Sequence, residues 1–287
     1  MKKSRNYLIV TACKNEAKNL PSLIESVVTQ TIRPLLWVIV DDGSIDETKS
    51  IIQMAAESYD WIHYIKMPEG ERDLGIHYGK IVKTGFDYAI SYCLKQGIDY
   101  SYLGNLDGDL ILIPKYYENL IKEFETDSKL GIASGGTCYI INNKRLYTKV
   151  SIKEPSGGHM VLRKECFEMC NGIPLSYSID SVLKAKAKLR GWGTRRFEEN
   201  IVTEIRGAAS ADGYWRGFVN RGESYYYLNF NPIHVLIKVI QFSFRKPYYI
   251  GMAFLTGYIR FALTREKQIE DKEITDYNWN KWNEMFW

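Results

Sequence analysis

Short apolar runs alternate with helical patterns through the first hundred residues, and this alternation constrains the fold more than any other feature of the sequence. The run Leu35–Val40 is continuously apolar, as strands covered on both faces of a parallel sheet are. Helical spacing fills the gaps between runs, which predicts a parallel sheet with right-handed crossovers. The predicted strands are Tyr7–Cys13, Leu35–Val40, Trp61–Ile65 and Tyr100–Leu106, and the predicted helices follow Asn19 and Asp46 and cover Tyr78–Gln96.

Polar clusters follow three of the predicted strands. In parallel sheets ligands bind beyond the carboxyl ends of the strands, so three polar loops at equivalent ends predict one shared site. The sequence has no Gly-x-Gly-x-x-Gly after the first strand and no P-loop pattern, which argues against a dinucleotide cofactor and a P-loop nucleotide site. The clusters are Lys14-Asn15-Glu16, Asp41-Asp42-Gly43-Ser44 and Asp107-Gly108-Asp109.

The third cluster places two carboxylates one residue apart. Burial of Asp107 and Asp109 is costly unless a cation neutralises them, and oxygen ligands suit Mg²⁺ or Mn²⁺ when a substrate phosphate completes the shell. The alternative is a solvated turn, because Asp and Gly are common turn residues. Arg72 and Lys80 are candidates to assist a phosphate, and for Arg72 the alternative is a solvated charge.

Further elements follow the acidic pair. The glycine pair Gly157-Gly158 permits a close approach of the backbone to a ligand, and His159 is expected to be a neutral, hydrogen-bonded strand histidine. Asp180 lies near the start of a predicted helix, where it can serve the helix dipole, act as a general base, or do both. The predicted elements are a helix at Pro114–Glu125, strands at Gly131–Ile141 and Leu146–Ile152 in a smaller, partly antiparallel element, and a helix at Ser176–Arg190.

The length of 287 residues accommodates one large α/β domain and an appendage. The five cysteines are scattered, and Cys166 and Cys170 have no second pair or nearby His, which predicts reduced thiols without structural zinc in a reducing cytoplasm. The basic first residues precede a short apolar run without a cleavage pattern, so we expect a first strand there and no signal peptide.

From residue 206 the composition changes to cations interleaved with aromatic side chains. Residues 206–265 contain eight Lys and Arg but only two acidic residues, Asp212 and Glu223. The charge-free runs are too short to span a bilayer. Two interpretations stay open for 224–263: basic amphipathic helices on an anionic membrane surface, or helices packed on the rest of the chain with solvated cations. The overall charge of +4 and the lack of a recognised binding module argue against nucleic acid.

Taken in order from about Tyr7 to Trp192, these motifs resemble the GT-A nucleotide-sugar glycosyltransferases, specifically the inverting family 2. Ala12 and Lys14 stand where the family often has Pro and Tyr, and Ile179 precedes Asp180 where Glu is usual. The motifs are Asn15-Glu16, Ser26–Gln30, Val40–Asp46, Asp107-Gly108-Asp109, the glycine pair, and the Asp that starts the helix ending at Gly191.

The resemblance implies an α/β, Rossmann-like GT-A fold, with a mixed, mainly parallel sheet flanked by helices and a C-terminal helical extension. The implied catalytic domain covers 1–205, with nucleotide-sugar binding in 1–110 and acceptor binding in 111–205, and the extension covers 206–287. By resemblance, Thr11, Ala12 and Glu16 line the nucleotide pocket, Asp42 binds the base, Asp107 lies near the ribose and sugar, Asp109 holds the metal with Asp107, and Asp180 deprotonates the acceptor.

The implied reaction transfers a sugar from a nucleotide-diphosphate sugar to an acceptor hydroxyl, with inversion and with help from Mn²⁺ or Mg²⁺. The expected acceptor is a glycan or lipid-linked sugar of the cell envelope, and the expected location is the cytoplasm or the inner face of the cell membrane. Two alternatives remain: a nucleotidyltransferase that makes a nucleotide-sugar, and a non-catalytic, membrane-associated sugar-binding protein. Nucleotidyltransferases usually carry a Gly-rich basic loop after the first strand, and Thr11–Glu16 lacks one.

Overall fold

The computed structural model describes residues 4–68, 75–141, 144–148, 150–205 and 213–282. Within these ranges, nine strands form one mixed sheet. The strands are β1 Tyr7–Cys13, β2 Leu36–Asp41, β3 Ile62–Lys66, β4 Tyr102–Asn105, β5 Leu110–Leu112, β6 Leu130–Ile141, β7 Lys144–Tyr147, β8 Val161–Arg163 and β9 Gly193–Glu204.

Ten α-helices and a short 3-10 turn at Gly157–His159 complete the described part of the chain. The helices are α1 Leu20–Val28, α2 Thr48–Ser58, α3 Ile76–Gln96, α4 Tyr116–Thr126, α5 Lys164–Met169, α6 Ile179–Leu189, α7 Gly213–Tyr227, α8 Pro232–Ser243, α9 Ile250–Thr264 and α10 Lys272–Asn280.

The strand order is β3-β2-β1-β4-β8-β6-β9-β5, with β7 paired to β6. Strands β1 to β4 pair in parallel, which confirms the predicted βαβ arrangement of the first hundred residues. Strand β8 runs antiparallel to both β4 and β6, while β6 and β9 are parallel. The strands predicted in a smaller, partly antiparallel element do pair partly antiparallel, but they belong to the main sheet because β8 bridges β4 and β6.

The sheet buries apolar side chains on both faces. Along β1, Tyr7 and Ile9 pack with α1, α2 and α4, whereas Leu8 and Val10 pack with α3, α5 and α6. Alternate residues of a strand point to opposite faces, so a continuously apolar strand must be covered on both sides. Helix α3 lies close to the sheet because Gly85 has no Cβ, and the side chain of Val10 occupies the space where one would be.

Two predicted segments differ from the structure by three or more residues at one end. The strand predicted at Leu146–Ile152 ends at Tyr147. The helix predicted at Ser176–Arg190 begins only at Ile179, since Ser178 has a φ of 48° and a residue in that region cannot continue a right-handed helix.

The chain divides into two compact units. The first contains the sheet and helices α1 to α6, and the second contains α7 to α10 together with Ser176–Ser178. Within the second unit, α7 and α9 pack closely because Gly222 faces the backbone of Phe254 and Gly257 faces the backbone of Val219. These helices are the C-terminal extension that the sequence predicted, while the functional division of residues 1–205 stays a prediction.

The cysteines and the hydropathy of the helices are two further features of the described chain. All five cysteines are buried thiols, and none of them forms a disulfide. Across the described ranges, we find no helix with both the length and the apolar character needed to cross a membrane.

Candidate active site

The loops that follow β1 and β2 meet the start of α3 at the carboxyl edge of the sheet. Lys14 Nζ donates to the carbonyl oxygen of Asp42 at 2.6 Å and lies 3.5 Å from its Oδ2. A hydrogen bond of 2.8 Å joins His77 Nε2 to Asp42 Oδ1. Asp42 is buried between these two basic groups, so the first two polar clusters come together as predicted.

The same two loops are tied by hydrogen bonds between backbone N–H groups and side chains. Asn15 has a φ of 54°, and its N–H donates to Ser44 Oγ at 2.8 Å while its Oδ1 accepts from the N–H of Ile45 at 2.9 Å. The N–H of Glu16 donates to Thr48 Oγ1 at 2.7 Å. Polar side chains that bond backbone groups in this way fix loop geometry.

Glu16 links the first cluster to the third. Its carboxylate is buried and accepts a hydrogen bond of 2.6 Å from Asn19 Nδ2. A Cβ on Gly108 would lie 3.2 Å from Glu16 Cγ, so the glycine between the two aspartates packs directly on this side chain. All three predicted polar clusters therefore lie at one edge of the sheet.

Two polar residues near the strand ends have structural partners inside the sheet. Thr11 is fully buried, and its Oγ1 accepts a hydrogen bond of 2.9 Å from the Trp37 indole N–H. Asp41 is also fully buried and accepts from the N–H of Ser44 and the hydroxyl of Tyr64. The side chain of Thr11 thus lies in the sheet interior, whereas its neighbour Ala12 is partly exposed.

Asp107 is held from two directions. The Tyr78 hydroxyl donates to Asp107 Oδ1 at 2.9 Å, and the N–H of Asp107 donates to the carbonyl oxygen of Gly158 at 2.7 Å. Burial, followed by repulsion from Asp109 and Asp180, raises the pKa of Asp107 to about 6, although the bond from Tyr78 opposes this rise. The site therefore concentrates negative charge.

The glycine pair occupies the space between two carboxylates. A Cβ on Gly158 would lie 2.5 Å from Asp107 Oδ2, and a Cβ on Gly157 would lie 2.6 Å from Asp180 Cβ. Asn105 Nδ2 donates to the carbonyl oxygen of Gly157 at 2.9 Å and holds the turn in place. The pair was predicted to let the backbone approach a ligand; in this structure it lets Asp107 and Asp180 approach the backbone.

Asp180 carries a lysine partner that our sequence analysis missed. Lys184 Nζ lies 2.9 Å from Asp180 Oδ2 and 3.6 Å from Glu154 Oε2, and it donates to the carbonyl oxygen of Pro155 at 3.2 Å. Burial alone lowers the pKa of Lys184, but the two carboxylates outweigh it and leave this pKa raised. Lys184 therefore stays protonated beside Asp180, and the i,i+4 spacing of the two residues was the available signal.

His159 belongs to a closed, neutral network behind the site. The Tyr116 hydroxyl contacts His159 Nδ1 at 2.9 Å and donates to its carbonyl oxygen at 2.6 Å, while Thr137 Oγ1 lies 3.0 Å from Nε2. Burial, with the charge of Arg196 adding to it, lowers the pKa of His159 to about 3. The predicted neutral, hydrogen-bonded state is confirmed, although His159 ends a 3-10 turn and does not lie in a strand.

The other three predicted residues are Asp109, Lys80 and Arg72. Asp109 is half-buried just before β5, and its carbonyl oxygen accepts from the N–H of Ile205 at 2.9 Å. Lys80 is exposed on α3, three residues beyond His77. Arg72 lies outside the described residues.

Comparison with known proteins decides the family. The model of a family described as "Glycosyl transferase family 2" matches residues 8–172, which is more than half of the chain. The chain belongs to glycosyl transferase family 2. The matched segment begins inside β1, includes both acidic loops and the glycine pair, and ends before Asp180. The predicted family is confirmed.

Curated relatives in this family match part of the chain. The poly-beta-1,6-N-acetyl-D-glucosamine synthase of Staphylococcus aureus strain COL is 28% identical over 141 residues, which is 49% of this chain and 29% of that protein. The synthase of strain MW2 matches to the same extent. The chain therefore spans less than a third of the length of these curated relatives.

Solved structures of glycosyltransferases share the fold. The mannosyltransferase PcManGT from Pyrobaculum calidifontis, solved with GDP-Man and Mn²⁺, has a TM-score of 0.56 and 15% identity over 90% of this chain and 70% of that one. S. aureus TarS in complex with UDP has a TM-score of 0.53 and 12% identity over 93% of this chain and 77% of that one. These likenesses confirm the predicted GT-A fold.

The donor atoms of the site suit a hard cation only in part. In the portion of the chain that the structure describes, no three His, Cys, Asp or Glu side chains are grouped to hold a metal. Asp107 and Asp109 do supply carboxylate oxygens, and burial together with repulsion from Asp109 and Asp180 raises the pKa of Asp107, a cost that a cation would offset. A divalent ion with oxygen ligands therefore fits this pair when a bound substrate provides further oxygens.

Proposed function

We propose that this chain transfers a sugar from a nucleotide-diphosphate sugar to an acceptor hydroxyl, with inversion and with a divalent cation, during the synthesis of a polysaccharide or cell-wall glycan. The observation that carries the proposal is the placement of Asp107 and Asp180 on either side of the Gly157-Gly158 pair. The turn gives the site a donor side and an acceptor side that lie a short distance apart.

The donor side uses the ends of β1, β2 and β4. Asp42, held by Lys14 and His77, binds the base, and Glu16 supports the adjoining loop. Residues 1–110 thus bind the donor and residues 111–205 the acceptor. PcManGT and TarS were solved with GDP-Man and UDP respectively, which supports a nucleoside diphosphate as the leaving group here.

Asp107 and Asp109 would hold Mn²⁺ or Mg²⁺ on the donor side. When bound, the cation stabilises the negative charge that develops on a departing diphosphate. Tyr78 orients Asp107 for this role through its hydrogen bond to Oδ1. The chain's own contribution is to keep two carboxylates close together despite their repulsion.

Asp180 acts as the general base. A sugar hydroxyl is a poor nucleophile, and removal of its proton by a positioned carboxylate typically contributes about 10²–10⁴-fold. Lys184, whose Nζ lies 2.9 Å from Asp180 Oδ2, holds the carboxylate of Asp180 in position. A base that faces the donor from across the turn fits a single displacement, which inverts the anomeric carbon and needs no carboxylate nucleophile.

A thermal-shift titration with UDP and GDP, each with and without Mn²⁺, tests donor binding. We expect one nucleotide to stabilise the protein by about 2.7 kcal/mol when present at about 100 times its dissociation constant, and only with metal. Asp109→Asn should remove the metal-dependent part. Asp87→Asn, which removes an exposed carboxylate on α3, is the matched control and should behave as wild type. If neither nucleotide stabilises the protein with Mn²⁺ present, the proposed function is wrong.

A further inference from the structure

The connection between α8 and α9 exposes large apolar side chains. Phe244, Tyr248 and Met252 are 81%, 61% and 58% exposed, and Tyr249 beside them is 47% exposed. Trp215 of α7 lies next to Tyr249, with ring centroids 6.1 Å apart, and is 49% exposed. We refer to these five residues as the aromatic tip.

The chain segment that carries the aromatic tip is rich in cations. Between residues 213 and 252 the sole acidic residue is Glu223, which is buried and paired with Arg260. Arg221 and Arg245 both stack on Phe242, with their guanidinium carbons 5.2 and 5.9 Å from the ring centroid. The exposed cations of this segment are Arg216, Arg221, Arg245 and Lys246.

The exposure of the aromatic tip is not a failure of packing within the second unit. The opposite faces of the same helices form a dense aromatic core, in which Phe242 lies edge to face with Phe218 at 5.1 Å and with Phe254 at 5.3 Å. Helix α8 therefore buries one face well while its C-terminal end presents Phe244 to water. Contiguous exposed apolar surface on a well-packed helical unit indicates an interaction site.

We infer that the aromatic tip docks peripherally on an anionic lipid surface. Trp and Tyr favour the boundary between lipid and water because one end of each ring system is apolar and the other polar. Cations beside them attract anionic headgroups. A protein partner is less well matched, since residues 213–252 expose four cations and no carboxylate and so lack the mixed charge of an ordinary interface rim.

Vesicle flotation without any nucleotide tests the inference. We expect wild type to float with phosphatidylcholine vesicles that contain phosphatidylglycerol, not with pure phosphatidylcholine vesicles, and to detach as salt screens the charges. The triple change Phe244→Ser, Tyr248→Ser and Met252→Ser should weaken partitioning at least about tenfold, and so should Arg245→Gln with Lys246→Gln. Leu94→Ser on α3, where the side chain is 76% exposed, is the matched control and should leave binding unchanged.

Three results would overturn the inference. They are equal binding to neutral vesicles, absence of binding to anionic vesicles, and concentration-dependent dimerisation that the triple change abolishes, because a second copy would then be the occupant. Since every altered side chain is exposed, circular dichroism and the urea midpoint should match wild type. The assay is independent of sugar transfer, so it stands or fails separately from the proposed function.

Discussion

Residues 157–159 separate two polar clusters of opposite character. On one side, Tyr116, Thr137 and His159 satisfy one another's hydrogen bonds without a net charge. On the other, Asp107 and Asp180 approach the glycine pair, and repulsion adds to burial in raising the pKa of Asp107. The neutral cluster stabilises the fold without help, whereas the acidic cluster lowers stability until a proton or a cation neutralises it.

This difference is what we expect if the neutral cluster serves the fold and the acidic cluster serves a ligand. Buried polar groups that bond each other fully are typical of a structural network. Carboxylates of like charge crowded into a partly buried site are typical of catalysis, because they cost stability that the fold alone has no reason to sacrifice. Five substitutions test the comparison, in order of decreasing expected effect.

Asp180→Asn should have the largest effect. It keeps the shape of the side chain but removes its basicity, so we expect the turnover number of sugar transfer to fall by about 10³-fold while donor binding is kept. Steady-state kinetics with the donor identified by thermal shift measures this change. Transfer at the wild-type rate would show that another group removes the proton.

Gly158→Ala should have the second-largest effect, and we expect it to lower the rate of sugar transfer by about 100-fold. The new Cβ would lie 2.5 Å from Asp107 Oδ2, so the carboxylate must move from its position beside Tyr78. Gly193→Ala is the matched control, because its nearest contact, with the carbonyl oxygen of Lys129, is an ordinary 3.4 Å. Equal activity of both variants would contradict the proposed role of the glycine pair.

His159→Gln tests the neutral cluster through pH. The folded-state pKa of His159, about 3, lies below the unfolded value of about 6.5, so its stabilising contribution is complete above pH 6.5 and declines as pH falls toward 3. Between pH 7 and pH 5 we expect wild type to lose about 2 kcal/mol of unfolding free energy that the variant does not lose. Urea unfolding at both pH values measures the difference, and parallel pH dependences would disprove it.

Lys184→Met should lower the turnover number about tenfold with little change in KM, because the partner that holds Asp180 is lost. The acidic limb of the pH–rate profile should also move to higher pH, since the ammonium that favours the ionised carboxylate is gone. Lys184→Arg should restore part of the rate. An unchanged pH profile would mean that Lys184 serves only the packing of α6.

Asp107→Asn should have the smallest effect, and unlike the other substitutions it should be favourable, because it should raise the free energy of unfolding. The pKa of Asp107 is raised, so its contribution to stability is present below about pH 4 and is lost as pH rises through 6. At pH 7.5, without ligands, we expect the variant to be about 1 kcal/mol more stable, after allowing for a weaker bond from Tyr78. Thermal unfolding measures this gain, and destabilisation instead would place Asp107 among the structural residues.

The sequence predicted the parallel strands well because each is a local apolar run. Strand β1 has its predicted bounds, and β2 and β3 shift by one residue. Strand β9 was missed, since its sequence is polar and exposed over much of its length and its position depends on pairing with β6, far away in the chain. Strand β5 has only three residues, too few for a periodic signal.

The residues of the site also fall into those that a local pattern predicts and those that long-range packing places. Asp42, Asp107 and Asp180 belong to motifs that can be recognised along the chain. Tyr78 and His77 were missed because their roles depend on how α3 packs against the sheet, which no local pattern encodes. Roles for all of these residues remain proposals that the substitutions above test.

The burial of all five thiols has a practical consequence for labelling. Burial raises the pKa values of Cys13 and Cys93, and inaccessible thiols with little thiolate react slowly with maleimides. A cysteine introduced at Phe244 would therefore be labelled selectively in the otherwise natural chain. A polarity-sensitive fluorophore attached there would shift its emission to shorter wavelength on entering lipid, and would report docking in real time.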